Sequence, residues 1–106
     1  MKVNMSTLHT VNKSPFERSA FISALNHLRA GGALLMLEDG VVGSRKSSAF
    51  AGILQNAAKT CRVYVLGPDM AARGMEAKDL VAGVGLVEYS GFVELVTSHD
   101  RTQAWL

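Results

Sequence analysis

The stretch Ala33-Leu34-Leu35-Met36-Leu37-Glu38-Asp39-Gly40 decides the fold. Its five successive apolar residues cannot alternate between a wet and a dry face, so a strand here must be covered on both sides. A helix is the competing interpretation of a short apolar run. Gly31 and Gly32 before the run and Gly40 after it leave too little room for a helix. The stretch therefore predicts a buried strand of a parallel sheet, with two carboxylates emerging at its carboxyl end.

Strand-like and helix-like segments alternate on both sides of this stretch. The alternation predicts a small doubly wound α/β fold, with a mainly parallel sheet of four or five strands and helices on both faces. We treat residues 1–106 as one domain in which residues 1–6 form a short N-terminal extension. Strands are predicted at 7–11, 33–37, 61–67, 84–89 and 103–106, and helices are predicted from Ser14, Ser47, Asp69 and Ser90.

Two of these helices carry recognisable start signals. Ser14 can accept hydrogen bonds from free amides, Pro15 suits the first helical position, and Glu17 completes a capping box with Ser14. Ser90 is the predicted cap of the last helix. The predicted inward face of that helix is formed by Phe92, Leu95, Val96 and His99.

Composition excludes several functional classes. Hydrophobic residues make up 48% of the chain and charged residues 19%, which is typical of a globular protein and not of a disordered one. No apolar run approaches the roughly 20 residues of a membrane span, and no signal peptide is recognisable, so we expect a cytoplasmic protein without membrane contact. The formal net charge of +2 is too small to indicate direct nucleic-acid binding.

Charge is nevertheless distributed unevenly along the chain. Residues 1–62 carry eight Lys or Arg and three Asp or Glu, whereas residues 63–106 carry three and six. This polarity fits either chance scatter over solvated faces or a docking surface. The single cysteine excludes an internal disulfide and fits a reducing compartment.

Cys61 is the obvious candidate nucleophile. It lies at the start of the predicted third strand, at the amino edge of the sheet, whereas reactive groups in such folds usually lie beyond the carboxyl edge. No helix N-terminus follows it directly, although Arg62 adjoins it. A buried, inert thiol is the favoured interpretation, and a reactive thiol is the alternative.

Asp39 is the better functional candidate of the two adjacent carboxylates. Neighbours in an extended strand point to opposite faces, so Glu38 and Asp39 cannot share a proton. Asp39 is then either a hydrogen-bond acceptor at the rim or part of an ordinary Asp-Gly turn. His9 and His99 are interpreted as core or boundary residues. Because no Cys or His has a partner at metal-ligand spacing, the sequence predicts no metal site.

The segment from Val41 to Ser48 is predicted to be a loop, and its part from Gly43 to Ser48 carries Arg45 and Lys46. Free amides and two positive side chains before a helix can hold an anion, so a small anion- or nucleotide-binding module is one hypothesis and a solvated loop is the other. No complete dinucleotide or Walker motif is present. No set of nucleophile, base and orienting group is recognisable either, so the sequence predicts neither a cofactor nor an independent catalytic site.

Several segments together resemble the DsrH/TusB family of proteins. They occur in the same order as in the family and extend from about Thr7 to Leu106. The sequences of residues 12–18 and 67–69 are closer to the DsrH branch than to the TusB branch. The segments are Leu8–Phe16, Leu37–Val41, Tyr64–Asp69, Ala72–Gly74 and Gln103–Trp105.

The resemblance implies a DsrE/F/H-like fold and a non-catalytic subunit of a cytoplasmic, hetero-oligomeric sulfur-relay (sulfurtransferase) complex. The implied partners are two homologous subunits, DsrE/TusD-like and DsrF/TusC-like, in a hexamer with two copies of each, and a downstream DsrC/TusE-like sulfur acceptor. DsrEFH-like complexes serve intracellular sulfur oxidation, and TusBCD-like complexes pass sulfur toward 2-thiouridine in tRNA. In both, the recognised sulfur-carrying cysteine belongs to a partner subunit.

The chain departs from some DsrH-branch members, which have a cysteine in the first helix where this sequence has Ala24. Cys61 matches no catalytic cysteine of the family, so we expect no sulfur carriage here, with a persulfide on Cys61 as the alternative. Exposed apolar residues should mark contacts with partner subunits, although core packing is an equal alternative for Phe92. The residues expected to contact ligands or partners are Lys13, Asp39, Arg45, Lys46, Asp69, Phe92 and Trp105.

Overall fold

The apolar stretch forms the central strand β2 (Ala33–Met36) of a computed structural model that describes residues 6–106. All four side chains of β2 are fully buried, as the unbroken apolar run predicted. The predicted extension at residues 1–6 lies outside the described residues, apart from Ser6. The other strands are β1 (Thr7–Val11), β3 (Arg62–Leu66), β4 (Val84–Val87) and β5 (Arg101–Trp105).

All five strands run parallel in the order β4-β3-β2-β1-β5. The chain therefore steps outward from β1 to β4 and then returns across the sheet to place β5 beside β1. Register pairs Leu8 of β1 with Ala33 of β2, and Leu34 of β2 with Val63 of β3. The predicted doubly wound α/β class is confirmed. The sheet has five strands, where the sequence predicted four or five.

Helices cover the two faces of the sheet unequally. Side chains of α1 (Ala20–His27), α2 (Ala51–Ala57) and α3 (Gly67–Ala72) contribute to one buried cluster with alternate residues of the strands. Among residues 6–106, only α4 (Tyr89–Ser98) packs on the other face, where Leu95 joins a smaller buried cluster. No helix among residues 6–106 is both long and apolar enough to span a membrane.

The segment after β2 is helical as far as Ser44, which corrects the predicted loop at 41–48 over its first four residues. A 3-10 helix spans Glu38–Ser44, and a second, short one spans Ala77–Asp79. Val41 is fully buried, and the buried Ser44 Oγ donates to the Val41 carbonyl oxygen over 2.6 Å. Gly40 lies so close to the end of β1 that a Cβ there would overlap the Val11 carbonyl oxygen. Glycine therefore permits the close approach of the 3-10 helix to the sheet.

The predicted start of the first helix at Ser14 is wrong, because α1 begins at Ala20. The Ser14 carbonyl oxygen accepts from the amides of Glu17 and Arg18, and its Oγ accepts from the Phe16 amide over 3.2 Å. These bonds close a turn in place of a capped helix, a competition that serine side chains are known for. Phe16 then contacts Phe50 edge to face, with ring centroids 5.1 Å apart.

The other helix boundaries shift for similar local reasons. Ser48 Oγ accepts from the Phe50 amide over 2.9 Å in a turn, so α2 begins at Ala51 and not near Ser47. The last helix begins at Tyr89, one residue before the predicted cap at Ser90. Its inward face contains the buried Leu95 and the half-buried Phe92, whereas the predicted inward Val96 is 41% exposed. His99 is buried too, but it lies one residue past the end of the helix.

We predict that Gly40→Ala lowers the free energy of unfolding by about 1–3 kcal/mol, because the added Cβ has to displace backbone at Val11. Gly52→Ala is the matched control, since a Cβ at this exposed helical position meets nothing within 4 Å. The control should raise stability by about 0.5–1 kcal/mol. Urea denaturation of the two variants measures both changes. Equal midpoints would contradict the close approach at Gly40.

Candidate functional site

Charged side chains from two segments meet at the carboxyl edge of β2 and β3. Arg73, just after α3, donates through Nε and Nη2 to Asp39 Oδ1 over 3.1 and 2.8 Å. Asp69 Oδ2 accepts from the Glu38 amide over 2.6 Å. We call Asp39, Asp69 and Arg73 the rim cluster. It ties the 3-10 helix Glu38–Ser44 to α3 and brings together two residues that the sequence had singled out.

The rim cluster has a fixed geometry but no nucleophile. Its hydrogen bonds join carboxylate, guanidinium and backbone groups, a set that lacks the nucleophile and base of a catalytic site. Glu38 adopts a φ of +49°, a region that non-glycine residues rarely occupy, and its bond to Asp69 holds it there. Asp39 keeps most of its side chain exposed. The cluster therefore presents a polar surface that is held together by hydrogen bonds between the two segments.

The predicted basic residues lie around this edge without forming an anion cradle. Lys13 follows β1 and is half-buried, whereas Lys46 is exposed. The amide of Lys46 donates to the Asp79 carbonyl oxygen over 2.7 Å, and Arg45 Nη2 donates to the Arg73 carbonyl oxygen over 3.2 Å. Because the amides of both basic residues already bond to carbonyl oxygens, the loop offers an anion little beyond its two side chains.

Cys61 lies one residue before β3, at the amino edge and thus at the opposite end of the sheet from the rim cluster. Its thiol is half-buried, not fully buried as the sequence suggested, and donates to the Arg29 carbonyl oxygen over 3.2 Å. A hollow of about 210 Å³ opens beside it between α1 and α2. No Lys, Arg or His lines that hollow, whose walls are Leu25, Asn26, Leu28, Ile53, Asn56, Ala57, Thr60 and Cys61.

The two predicted aromatic contact residues are both partly packed inside the molecule. Phe92 is half-buried against the smaller core cluster, and Trp105 is half-buried against the larger one. The exposed apolar surface of α4 is instead formed by Tyr89, Val93 and Val96, which are 60%, 61% and 41% exposed. We call these three residues the α4 stripe. Their spacing of four and three residues is the signal that identifies one helix face.

His9 is the residue whose environment sequence reasoning missed. The indole Nε1 of Trp105 donates to His9 Nδ1 over 3.0 Å, and the ring of His27 lies 4.9 Å from the indole ring. Burial lowers the pKa of His9, and the positive charges of His27 and Arg29 lower it further. His9 is therefore neutral at pH 7. Because an indole nitrogen only donates, the proton of neutral His9 lies on Nε2.

No group of three or more His, Cys, Asp or Glu residues between Ser6 and Leu106 is arranged to hold a metal ion.

We predict that acidification destabilises the folded protein through His9. Its pKa is lower in the folded chain than the 6.5 of an ordinary histidine, so the unfolded chain binds this proton more tightly. The free energy of unfolding should fall as the pH drops below about 6.5, until His9 also protonates in the folded state.

Urea denaturation at about pH 7.5 and about pH 5.5 checks this, with His9→Asn as the comparison because its amide oxygen can accept from Trp105. The variant should lose less stability on acidification than the natural chain. The same loss in both would contradict the assignment.

Comparison with known protein families gives a match over most of the chain. The family described as DsrH like protein matches residues 13–102. Protein TusB of Klebsiella pneumoniae strain 342 is 38% identical over 100 residues, covering 92% of this chain and 99% of that protein. Protein TusB of Pectobacterium parmentieri is 36% identical over 101 residues, with the same coverage.

Solved structures share the fold at much lower sequence identity. The crystal structure of the ychN protein from E. coli has a TM-score of 0.83 and 14% identity, over 95% of this chain and 99% of that one. A protein of unknown function from Methanobacterium thermoautotrophicum has a TM-score of 0.70 and 17% identity, over 90% and 93%. These likenesses support the same parallel α/β architecture.

Proposed function

The chain belongs to the DsrH/TusB family, and from this premise we propose that it is a non-catalytic subunit of a cytoplasmic sulfur-relay complex. Its proposed partners are a DsrE/TusD-like and a DsrF/TusC-like subunit, in a hexamer with two copies of each. The complex hands sulfur to a DsrC/TusE-like acceptor, either in sulfur oxidation or in tRNA 2-thiouridine synthesis. Dissimilatory sulfite reductase genes beside this gene would select the oxidation role.

The surroundings of Cys61 are the observation that supports a non-catalytic role. A sulfur carrier works as a thiolate, and reactive thiolates occur near positive charges or helix N-termini. The Cys61 thiol instead donates a hydrogen bond to the Arg29 carbonyl oxygen over 3.2 Å. The adjoining hollow has no cationic lining residue. The sulfur handover is therefore assigned to a cysteine of a partner subunit.

The α4 stripe supports the association with homologous subunits. In the described part of the chain, α4 is the single helix on its face of the five-stranded sheet, and it turns Tyr89, Val93 and Val96 outward. Contiguous exposed apolar side chains on a small protein commonly mark a protein contact. Phe92 lies on the same helix and is half-buried against the smaller core cluster. We place a partner subunit on this surface.

We predict that Cys61→Ser leaves sulfur transfer intact in a complex reconstituted with both homologous subunits, within about twofold of the natural rate, a change in barrier well under 1 kcal/mol. The thiol has no part in the proposed handover, and the serine hydroxyl can donate to the Arg29 carbonyl oxygen in its place. Transfer of labelled sulfur to the acceptor is the measurement, and replacing the partner's sulfur-carrying cysteine is the control that should abolish it. Mass spectrometry showing a labile extra sulfur on this chain, lost in Cys61→Ser, would contradict the proposal.

We predict that Val93→Glu weakens association with the homologous subunits at least about tenfold, because a carboxylate in an apolar contact is left without a partner. Ile53→Glu is the matched control, since Ile53 is also an exposed aliphatic residue of a helix but lies on the opposite face of the sheet. Titration calorimetry measures both affinities. If the two variants assemble equally well, the α4 stripe is not the contact.

A further inference from the structure

A hollow of about 430 Å³ lies on the outer side of the sheet between α1 and β5. Alternate side chains of β1 and β5 face α1, and register places Thr7 beside Arg101 and His9 beside Gln103. Because α1 ends at His27, it leaves the outermost of these strand side chains uncovered. The lining residues all carry polar groups and are Thr7, His9, His27, Arg101, Gln103 and Trp105.

The hydrogen bonds around the hollow fix what its two imidazoles offer. His9 Nδ1 accepts from the Trp105 indole, so the neutral ring has its proton on Nε2, where it is a donor. His27 Nδ1 lies 2.8 Å from the Ser23 carbonyl oxygen, which only accepts. His27 therefore carries a proton on Nδ1, and its Nε2 becomes a second donor when the ring is charged.

The surroundings of the hollow are positively charged. Arg101 is exposed and forms no salt bridge with any residue in the described range. The neighbouring Asp100 carboxylate is already bound by the Ser6 amide over 2.8 Å and lies near the Ser6 hydroxyl. Arg29, two residues after the end of α1, adds a second positive charge close enough to His9 to lower its pKa. An anionic ligand would therefore find a positive potential and unused donors.

The wall of the hollow beside these donors is aromatic. The Trp105 ring lies 4.9 Å from His27 and 6.1 Å from His9, with interplanar angles of 43° and 30°. Such a surface favours a flat or apolar group over a bare inorganic ion. The volume falls within the range of small-molecule sites, about 300–1,000 Å³.

We propose that this hollow binds a small organic carboxylate. The carboxylate contacts the Arg101 guanidinium and the Nε2–H of His9, and the body of the ligand rests on the Trp105 ring. Arginine suits this role because its planar fork matches the two oxygens of a carboxylate. The site includes neither Cys61 nor the α4 stripe. The carboxylate proposal and the sulfur-relay proposal can therefore be tested independently.

Trp105 gives the test a specific signal, because it is the only tryptophan in the chain. Its indole N–H produces a single NMR resonance, and that proton is bonded to His9 at the floor of the site. Titrating the full chain with benzoate should shift this resonance with a dissociation constant on the order of 1 mM. Benzamide, which has the same shape without the charge, should give no saturable shift.

Arg101→Gln should weaken benzoate binding about tenfold, since the charge-assisted contact is lost. Arg62→Gln is the matched control, because Arg62 is likewise an exposed arginine at the first position of a strand and is not a lining residue. The proposal is overturned if benzoate leaves the Trp105 resonance unmoved, if benzamide binds equally, or if Arg101→Gln binds as tightly as Arg62→Gln.

A second titration distinguishes two sources of the carboxylate, a free small molecule and the carboxyl terminus of a protein. N-acetyl-glycyl-phenylalanine presents a terminal carboxylate on a peptide, and its amide is the uncharged control. Tighter binding of this peptide than of benzoate, again lost in Arg101→Gln, supports a protein terminus as the source. Tighter binding of benzoate supports a free small carboxylate.

Discussion

Burial of β2 on both faces is the constraint on which the rest of the structure depends. Four successive side chains, Ala33 to Met36, reach no solvent, so the chain must supply apolar cover above and below them. The larger cover comes from α1, α2 and α3 and the smaller from α4. Parallel strands with helical crossovers are the arrangement that supplies both covers within about 100 residues.

The same arrangement places the rim cluster and the Cys61 thiol at opposite edges of the sheet. The rim cluster gathers where β2 and β3 end, and Cys61 lies where β3 begins. The thiol thus has neither the carboxylates nor the guanidinium of the rim cluster near it. This separation supports the proposal that the chain helps to shape a complex in which a partner subunit carries the sulfur.

The sequence was sufficient for the central strand and the α/β class because those follow from local pattern alone. Glycines bounded the β2 run, and β-branched or apolar runs marked the other strands within a few residues. The helix start predicted at Ser14 was wrong because the side chain and carbonyl oxygen of Ser14 close a turn. The same sequence of residues is compatible with either a capped helix or a turn. The sequence predicted Asp39 and Asp69 as contact residues without linking them. That Arg73 brings their two segments together depends on β2 and β3 being neighbours, which the strand order shows. The bond between Trp105 and His9 spans 96 positions and depends on β5 lying beside β1, which no local pattern indicates.

The return of β5 to the side of β1 also has a consequence for synthesis on the ribosome. Strands β1 to β4 can pair in the order in which they emerge, but the outer edge of β1 has no neighbour until β5 has been translated. During that interval the backbone amides and carbonyl groups of the first strand are open to pairing with another chain. The nascent protein therefore exposes the outer edge of β1 until β5 is translated, and a chaperone that shields one sheet edge would act in that interval.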